Sequence, residues 1–172
     1  MPLPLIYDFP PLLEGVLLKR YKRFMADIEL ASGETITAHC PNTGPMTGVC
    51  HIGGRVMVSR SDNPKRKLAY TWELAEVNDN GPTWAGVNTA LPNRVIQVAL
   101  AERLFEQLGA YDTVRREVPY GTNSRIDFLL TAERPIYVEV KNSTWAQCRL
   151  CLYPDTVTTR GQKHLRELTA LT

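Results

Sequence analysis

Two short segments carry the residues best suited to chemistry: Ser124–Leu130 (SRIDFLL) and Ile136–Lys141 (IYVEVK), joined by Thr131–Pro135. Both alternate as strands do. With Leu130 opposite Ile136, Phe128 faces Val138 and Ile126 faces Val140, so one face is wholly apolar. The other face sets Asp127 against Glu139 and Arg125 against Lys141, placing Lys141 beside Glu139 on the same side. Facing carboxylates with Cβ atoms about 4.5–5.5 Å apart repel each other and call for a compensating partner. A divalent cation, Mg²⁺ or Mn²⁺, held by both acids would supply one, and Lys141 would then orient a metal-activated water or stabilise charge on a phosphate. That is the layout of a metal-dependent phosphodiester hydrolase. The same pattern also reads as a solvated face on which Arg125 and Lys141 neutralise the acids. On the metal reading, Asp127→Asn removes a repulsion and leaves the fold intact or slightly more stable.

The basic residues cluster. Lys19, Arg20, Lys22 and Arg23 form one group, and Arg60, Lys65, Arg66 and Lys67 a second, on a chain whose net charge is only +2. Such clusters build a patch without a high isoelectric point, or simply decorate solvated strand ends. Tyr21, Phe24, Tyr70 and Trp72 lie among or near them. The four cysteines include Cys148-x-x-Cys151, but Cys40 and Cys50 make no second close pair, so buried free thiols are expected rather than zinc. His164 is expected at the surface or at a helix end. No Ser/His/Asp triad and no phosphate-cradling glycine loop is found.

The elements that must position these residues fall into two halves. Phe24–Leu30 and Glu34–His39 flank Ala31-Ser32-Gly33, a hairpin with Gly33 free to take a positive φ. Arg55–Ser59, Leu68–Leu74 and Trp84–Val87 add strands, separated by turns rich in Pro, Gly, Asn and Asp; Val16–Lys19 alternates poorly. Several short strands without a helix predict a small closed barrel. The pattern changes near Asn88–Pro92. A helix is predicted over Asn93–Leu108, capped by Asn93, ended by Gly109 and striped by Ile96, Leu100, Leu104 and Leu108. Val114–Tyr120 precedes the two chemistry-bearing strands. A second helix, Arg160–Leu171, places Leu165, Leu168 and Leu171 on one side. The chain thus reads as α+β, with residues 1–87 and 88–172 as its domains. With 172 residues, 44% hydrophobic and 22% charged, the composition excludes a disordered chain. No apolar run reaches the roughly 18 residues of a membrane span, and MPLPLIYDFPPLL lacks the basic start and cleavage site of a signal peptide. A cytoplasmic protein with no membrane partner is expected.

RYKRF (20–24), TAHCPNTGPMTG (37–48), NPKRKLAYTWEL (63–74), SRIDFLL, YVEVKN (137–142) and YPDTVTTRGQKHLREL (153–168), in this order, resemble the sugar fermentation stimulation protein A family. The resemblance spans essentially the whole chain. It implies an N-terminal OB-fold barrel followed by an α/β domain of the PD-(D/E)xK nuclease type, DNA as the partner, and a link to maltose-related sugar fermentation. It assigns Asp127 and Glu139 to the motif acids, Lys141 to the motif lysine and the carbonyl of Val140 to the metal. It puts Gln162 and Lys163 where related nucleases contact phosphate. An OB barrel binds nucleic acid by a positive groove and aromatic platforms. That gives Arg20, Tyr21, Lys22, Arg23, Lys65, Arg66, Lys67 and Tyr70 a role, with Phe24 and Trp72 expected in the barrel core. Two features depart from the family pattern. Val98 stands where its first helix carries a glutamate, with Glu102 one turn on. Relatives also continue past the last helix, so the nuclease-like sheet is expected to lack its last elements and to self-associate by an uncovered edge. A non-catalytic DNA-binding regulator is the alternative to the nuclease, and a zinc-stabilised interaction module a third class.

Overall fold

The computed structural model describes residues 7–121, 124–148, 150–152 and 159–170. They divide into two compact units: residues 7–92 with 142–152, and residues 93–141 with 159–170.

In the first unit β1 (Leu12–Tyr21), β2 (Met25–Leu30), β3 (Thr35–His39), β4 (Arg55–Arg60), β5 (Tyr70–Asn78) and β6 (Pro82–Gly86) lie in the order β3-β2-β1-β4-β5-β6. A parallel pairing of Ala38 with Tyr70 and His39 with Thr71 joins β3 to β5 and closes the first five strands into a barrel. Closure by β3 against β5 is the OB-fold topology, and β6 lies beyond β5 at an edge of the sheet.

β1 is the strand that escapes a reading by alternation. It pairs with β4 through Leu12–Val16 and with β2 through Gly15–Tyr21. A bulge between Leu17 and Lys19 inserts Leu18 as an extra, exposed residue. Before the bulge Gly15 and Leu17 face the barrel interior opposite Leu30 and Ile28; after it Arg20 does so, opposite Ala26. The parity flip breaks the period of two that marks a strand. It also turns the Arg20 guanidinium onto the loop after β3. Its Nη2 donates to the carbonyls of Asn42 and Gly44 at 3.0 Å each and of Arg23 at 2.9 Å. That loop feeds the core, since Cys40, Met46 and Val49 are buried with Leu17, Ile28, Val56, Val58 and Trp72. The indole N–H of Trp72 is satisfied by the Leu74 carbonyl at 2.9 Å.

A short hairpin that the sequence does not announce, β10 (Trp145–Gln147) and β11 (Leu150–Leu152), belongs to this unit. The Cys148 amide donates to Asp79 Oδ1 at 2.6 Å and the Thr144 hydroxyl to the Thr47 carbonyl at 3.3 Å.

The second unit contains α1 (Leu91–Ala101), a single 3-10 turn at Glu106–Leu108, β7 (Thr113–Tyr120), β8 (Ser124–Thr131), β9 (Ile136–Val138) and α2 (Thr159–Thr169). Its three strands form an antiparallel sheet in the order β7-β8-β9. Leu100 of α1 packs with Tyr111, Phe128 and Leu130 in a core of its own.

Helix α1 ends well before Leu108, correcting the sequence expectation. Arg103 takes a left-handed conformation at φ 57°. The Leu104 amide donates back to the Ala99 carbonyl at 2.9 Å and the Arg103 amide to that of Leu100 at 3.2 Å. This is a Schellman stop without glycine, and it leaves Leu104 exposed while Ile96, Leu100 and Leu108 pack. The entry differs too. Asn88 accepts the Ala90 amide at 3.0 Å just before the helix, and Asn93 sits inside the first turns rather than capping it. Among the described residues no helix is long and apolar enough to cross a membrane.

At Gly15 β2 leaves no room for a side chain on β1. A Cβ there would stand 2.6 Å from Ile28 Cγ2 and 2.7 Å from the Glu29 carbonyl oxygen, whereas one on Gly86 would meet nothing within 4 Å. Gly15→Ala should therefore lower the unfolding free energy by about 1–3 kcal/mol, as overpacking does. Gly86→Ala should change it little. Denaturant midpoints of the two variants check this.

Candidate metal and nucleic-acid sites

Asp127 lies midway along β8, between Ile126 and Phe128, both fully buried. Alternation turns its carboxylate to the other face, where it is half-buried. Both oxygens are held. Oδ1 accepts from the Asn93 side-chain amide at 2.9 Å, and Oδ2 accepts from the Val140 main-chain amide at 2.7 Å.

The second bond accounts for a departure from expectation. The register is the one the apolar face requires, with Phe128 opposite Val138 and Leu130 opposite Ile136. Yet β9 stops at Val138 instead of running to Lys141. The Val140 N–H binds the side chain of Asp127, and Glu139, Val140 and Lys141 lie outside the ladder. The Lys141 ammonium donates to Glu139 Oε1 at 2.5 Å. Arg125 does not share the work of neutralising the acids: its guanidinium donates to the Glu117 carbonyl at 2.8 Å.

Asn93 and Tyr120 belong to this neighbourhood, although spacing alone marks neither as part of a site. Asn93 looks like a helix cap in sequence, and only the packing of α1 brings its amide to Asp127. Tyr120 ends β7 opposite Ser124 and is buried. Burial pushes its hydroxyl above the ordinary tyrosine range, and the negative charge of Glu139 adds to the shift. Val98 is partly exposed on α1, and Glu102 falls just beyond the helix. Gln162 is exposed on α2, and Lys163 lies 3.7 Å from Glu167 one turn on. The side chain of His164 and residue Leu171 lie outside the described residues. No group of three His, Cys, Asp or Glu side chains among the described residues is placed to hold a metal. A cation here would draw on two carboxylates and a main-chain carbonyl.

The basic groups of the barrel occupy two loops. Lys22 and Arg23 form the β1–β2 turn in left-handed conformations, φ 48° and 64°. Lys65, Arg66 and Lys67 are exposed between β4 and β5. Pairing of Met25 with His39, and of His39 with Thr71, sets the start of β2, the end of β3 and the start of β5 side by side. Both loops therefore open at one end of the barrel, and they are the two loops with which OB folds hold oligonucleotides.

Individual side chains differ from expectation. Phe24, expected in the core, is 47% exposed, whereas Trp72 is fully buried. The Tyr21 hydroxyl donates to Asp27 at 3.0 Å, Tyr70 packs partly against the core, and Arg66 Nη2 donates to the Thr71 hydroxyl at 2.8 Å. Arg20 is committed to loop carbonyls. Cys148 and Cys151 are exposed rather than buried; Cys40 is buried, and partial burial pushes the Cys50 thiol up.

Residues 18–87 match the SfsA N-terminal OB domain, and residues 90–172 match the sugar fermentation stimulation protein RE domain. A sugar fermentation stimulation protein homolog of Synechococcus elongatus is 74% identical over 166 residues, which is 96% of this chain and 70% of that one. A homolog from Cyanothece is 66% identical over 169 residues, covering 96% and 71%. The structure of Pyrococcus furiosus SfsA in complex with Ca²⁺ superposes with a TM-score of 0.79 at 24% identity, over 96% of this chain and 69% of that one. The chain belongs to the sugar fermentation stimulation protein family, and its fold is that of SfsA.

Asp127→Asn should destabilise the protein, reversing the expectation from charge repulsion alone. Either the Val140 N–H or the Asn93 amide would then face a donor. A loss of about 1–3 kcal/mol is expected for a partly buried donor left unpaired. Asn93→Ala, which leaves the Val140 bond in place, should cost less. Chemical denaturation in EDTA compares the two.

Proposed function

We propose that this chain binds DNA through its barrel and cleaves phosphodiesters, with a divalent cation, in its second unit, acting in the cytoplasm. The observation that carries this reading is the approach of Asp127 to the Glu139–Lys141 segment, 2.7 Å from the amide between those two residues. Asp127, Glu139 and the carbonyl of Val140 are hard oxygen donors, the kind Mg²⁺, Mn²⁺ and Ca²⁺ take. Each Asp127 oxygen keeps a lone pair beyond the one it gives to an N–H. The Ca²⁺ in the Pyrococcus structure supports a cation in this fold. When bound, such an ion lowers the pKa of a coordinated water and draws charge from the phosphate oxygens.

The chain's own residues do the rest. Asn93 and the Val140 amide fix the rotation of the Asp127 carboxylate before any ligand arrives. Lys141, more than half exposed, swings from Glu139 to a phosphate oxygen at little cost, because an exposed ion pair is worth at most about 1 kcal/mol. Gln162 and Lys163 offer further phosphate donors. At the barrel, Lys22, Arg23, Lys65 and Lys67 supply phosphate contacts, and Phe24 supplies an exposed aromatic surface for an unpaired base.

Val98 on the exposed side of α1 favours a second reading, a DNA-binding regulator of sugar metabolism that keeps the fold without the reaction. Incubation of single-stranded, duplex and branched DNA with Mg²⁺, Mn²⁺ or EDTA separates the two. Metal-dependent cleavage abolished by Lys141→Ala supports the nuclease. Binding without cleavage under every metal supports the regulator.

The barrel assignment has its own test. Lys22→Ala with Arg23→Ala should flatten the dependence of log affinity on log salt by about 0.7 for each single-strand phosphate no longer neutralised. Phe24→Ala should weaken single-strand binding by about 1–3 kcal/mol. Arg20→Ala should instead lower stability, because its three carbonyl partners lose their donor. Titrations at several salt concentrations and a thermal melt distinguish these effects.

A further inference from the structure

A cavity of about 340 Å³ lies in the second unit beside the proposed cation ligands. Its walls are apolar: Ile96, Leu100, Phe105, Leu108, Val138 and Val140. Leu100 is fully buried and forms the floor, while Gln107 and Lys141 are exposed and stand at the opening with Glu139. The cavity exists because α1 stops early. The left-handed turn at Arg103 ends the helix, and Phe105, Gln107 and Leu108 of the following segment line the cavity with Val138 of β9.

We infer that this cavity receives one unpaired nucleobase of the nucleotide whose phosphate lies against Lys141. The inference rests on the nucleic-acid reading above and names its substrate class: single-stranded or frayed DNA rather than intact duplex. Three features select a base among small apolar ligands. A flat heterocycle buries its faces on aliphatic and aromatic walls, here with Phe105 among them. A base edge needs both a donor and an acceptor, and the Gln107 amide offers both. A base carries a phosphate one sugar away, and the ammonium of Lys141 shares the opening. A base inside a duplex would first have to unstack and unpair, a cost that is least in a single strand.

The test uses the whole chain and 2-aminopurine deoxynucleoside 5′-monophosphate as the probe, in EDTA and again with Ca²⁺. The expected result is a saturable fluorescence change, reversed by ordinary deoxynucleotides but not by deoxyribose 5-phosphate. Leu108→Phe, which fills the cavity, should weaken binding at least about tenfold, the size of one stacked base. Gln107→Ala, at an exposed position that leaves the fold alone, should weaken it several-fold, and Gly86→Ala on the barrel, where an added Cβ meets nothing, should not. Equal competition by deoxyribose 5-phosphate, or a Leu108→Phe protein that is more stable and binds the probe unchanged, would make the cavity a packing defect and overturn the proposal. Nucleotide binding with these variant effects, in a protein that cleaves no DNA with any metal, would keep the pocket and sink the nuclease. Cleavage that ignores abasic substitution throughout the strand would do the reverse.

Discussion

The bond from the Val140 amide to the Asp127 carboxylate decides how the second unit is built. A main-chain N–H at that position would ordinarily continue the ladder with β8. Given instead to a side chain, it ends β9 at Val138 and frees the next residues from pleated alternation. Glu139 and Lys141 then pair with each other. Asn93 completes the arrangement from α1, so that helix and strand meet at one carboxylate. A carboxylate accepting two N–H donors has hydrogen-bond partners without a metal. The orientation of the carboxylate is thereby set by two donors from separate elements.

A comparable constraint governs the barrel. β1 must pair with two strands, and Gly15, paired with Leu30 on one side and Val56 on the other, is the point where both are within reach. The bulge at Leu18 lets one strand bend between the two pairings. Its consequence is chemical as well as geometric: Arg20 turns inward to brace the loop after β3, while Lys19 and Tyr21 remain outside, the ammonium 5.2 Å from the ring centre. A basic cluster contiguous in sequence is thereby split into a structural member and solvent-facing ones.

These two sites show how far a sequence reading reaches. The register of β8 on β9 follows from apolar alternation, because a slip of one residue would put Ile126, Phe128 and Leu130 in water. The β2–β3 hairpin follows from Gly33, whose φ of 83° a side chain would strain. The early end of α1 does not follow, since its stop uses Arg103 rather than a glycine and the apolar spacing runs on through Leu104 and Leu108. Phe24 is similar. An aromatic beside a strand reads as core, and only the left-handed turn at Lys22 and Arg23 puts it at the loop tip.

By itself the sequence determined most strands of the barrel, the register of Phe128 on Val138 and Leu130 on Ile136, and family membership, because alternation and ordered motifs are local properties of the chain. Tertiary structure alone decided which donors the Asp127 oxygens accept, that Arg20 is a brace, that both basic loops share one barrel end, and that a cavity opens beside Lys141. Each of these depends on where residues far apart in sequence come to rest, and hydrogen bonds and voids form between such residues without leaving a periodic trace.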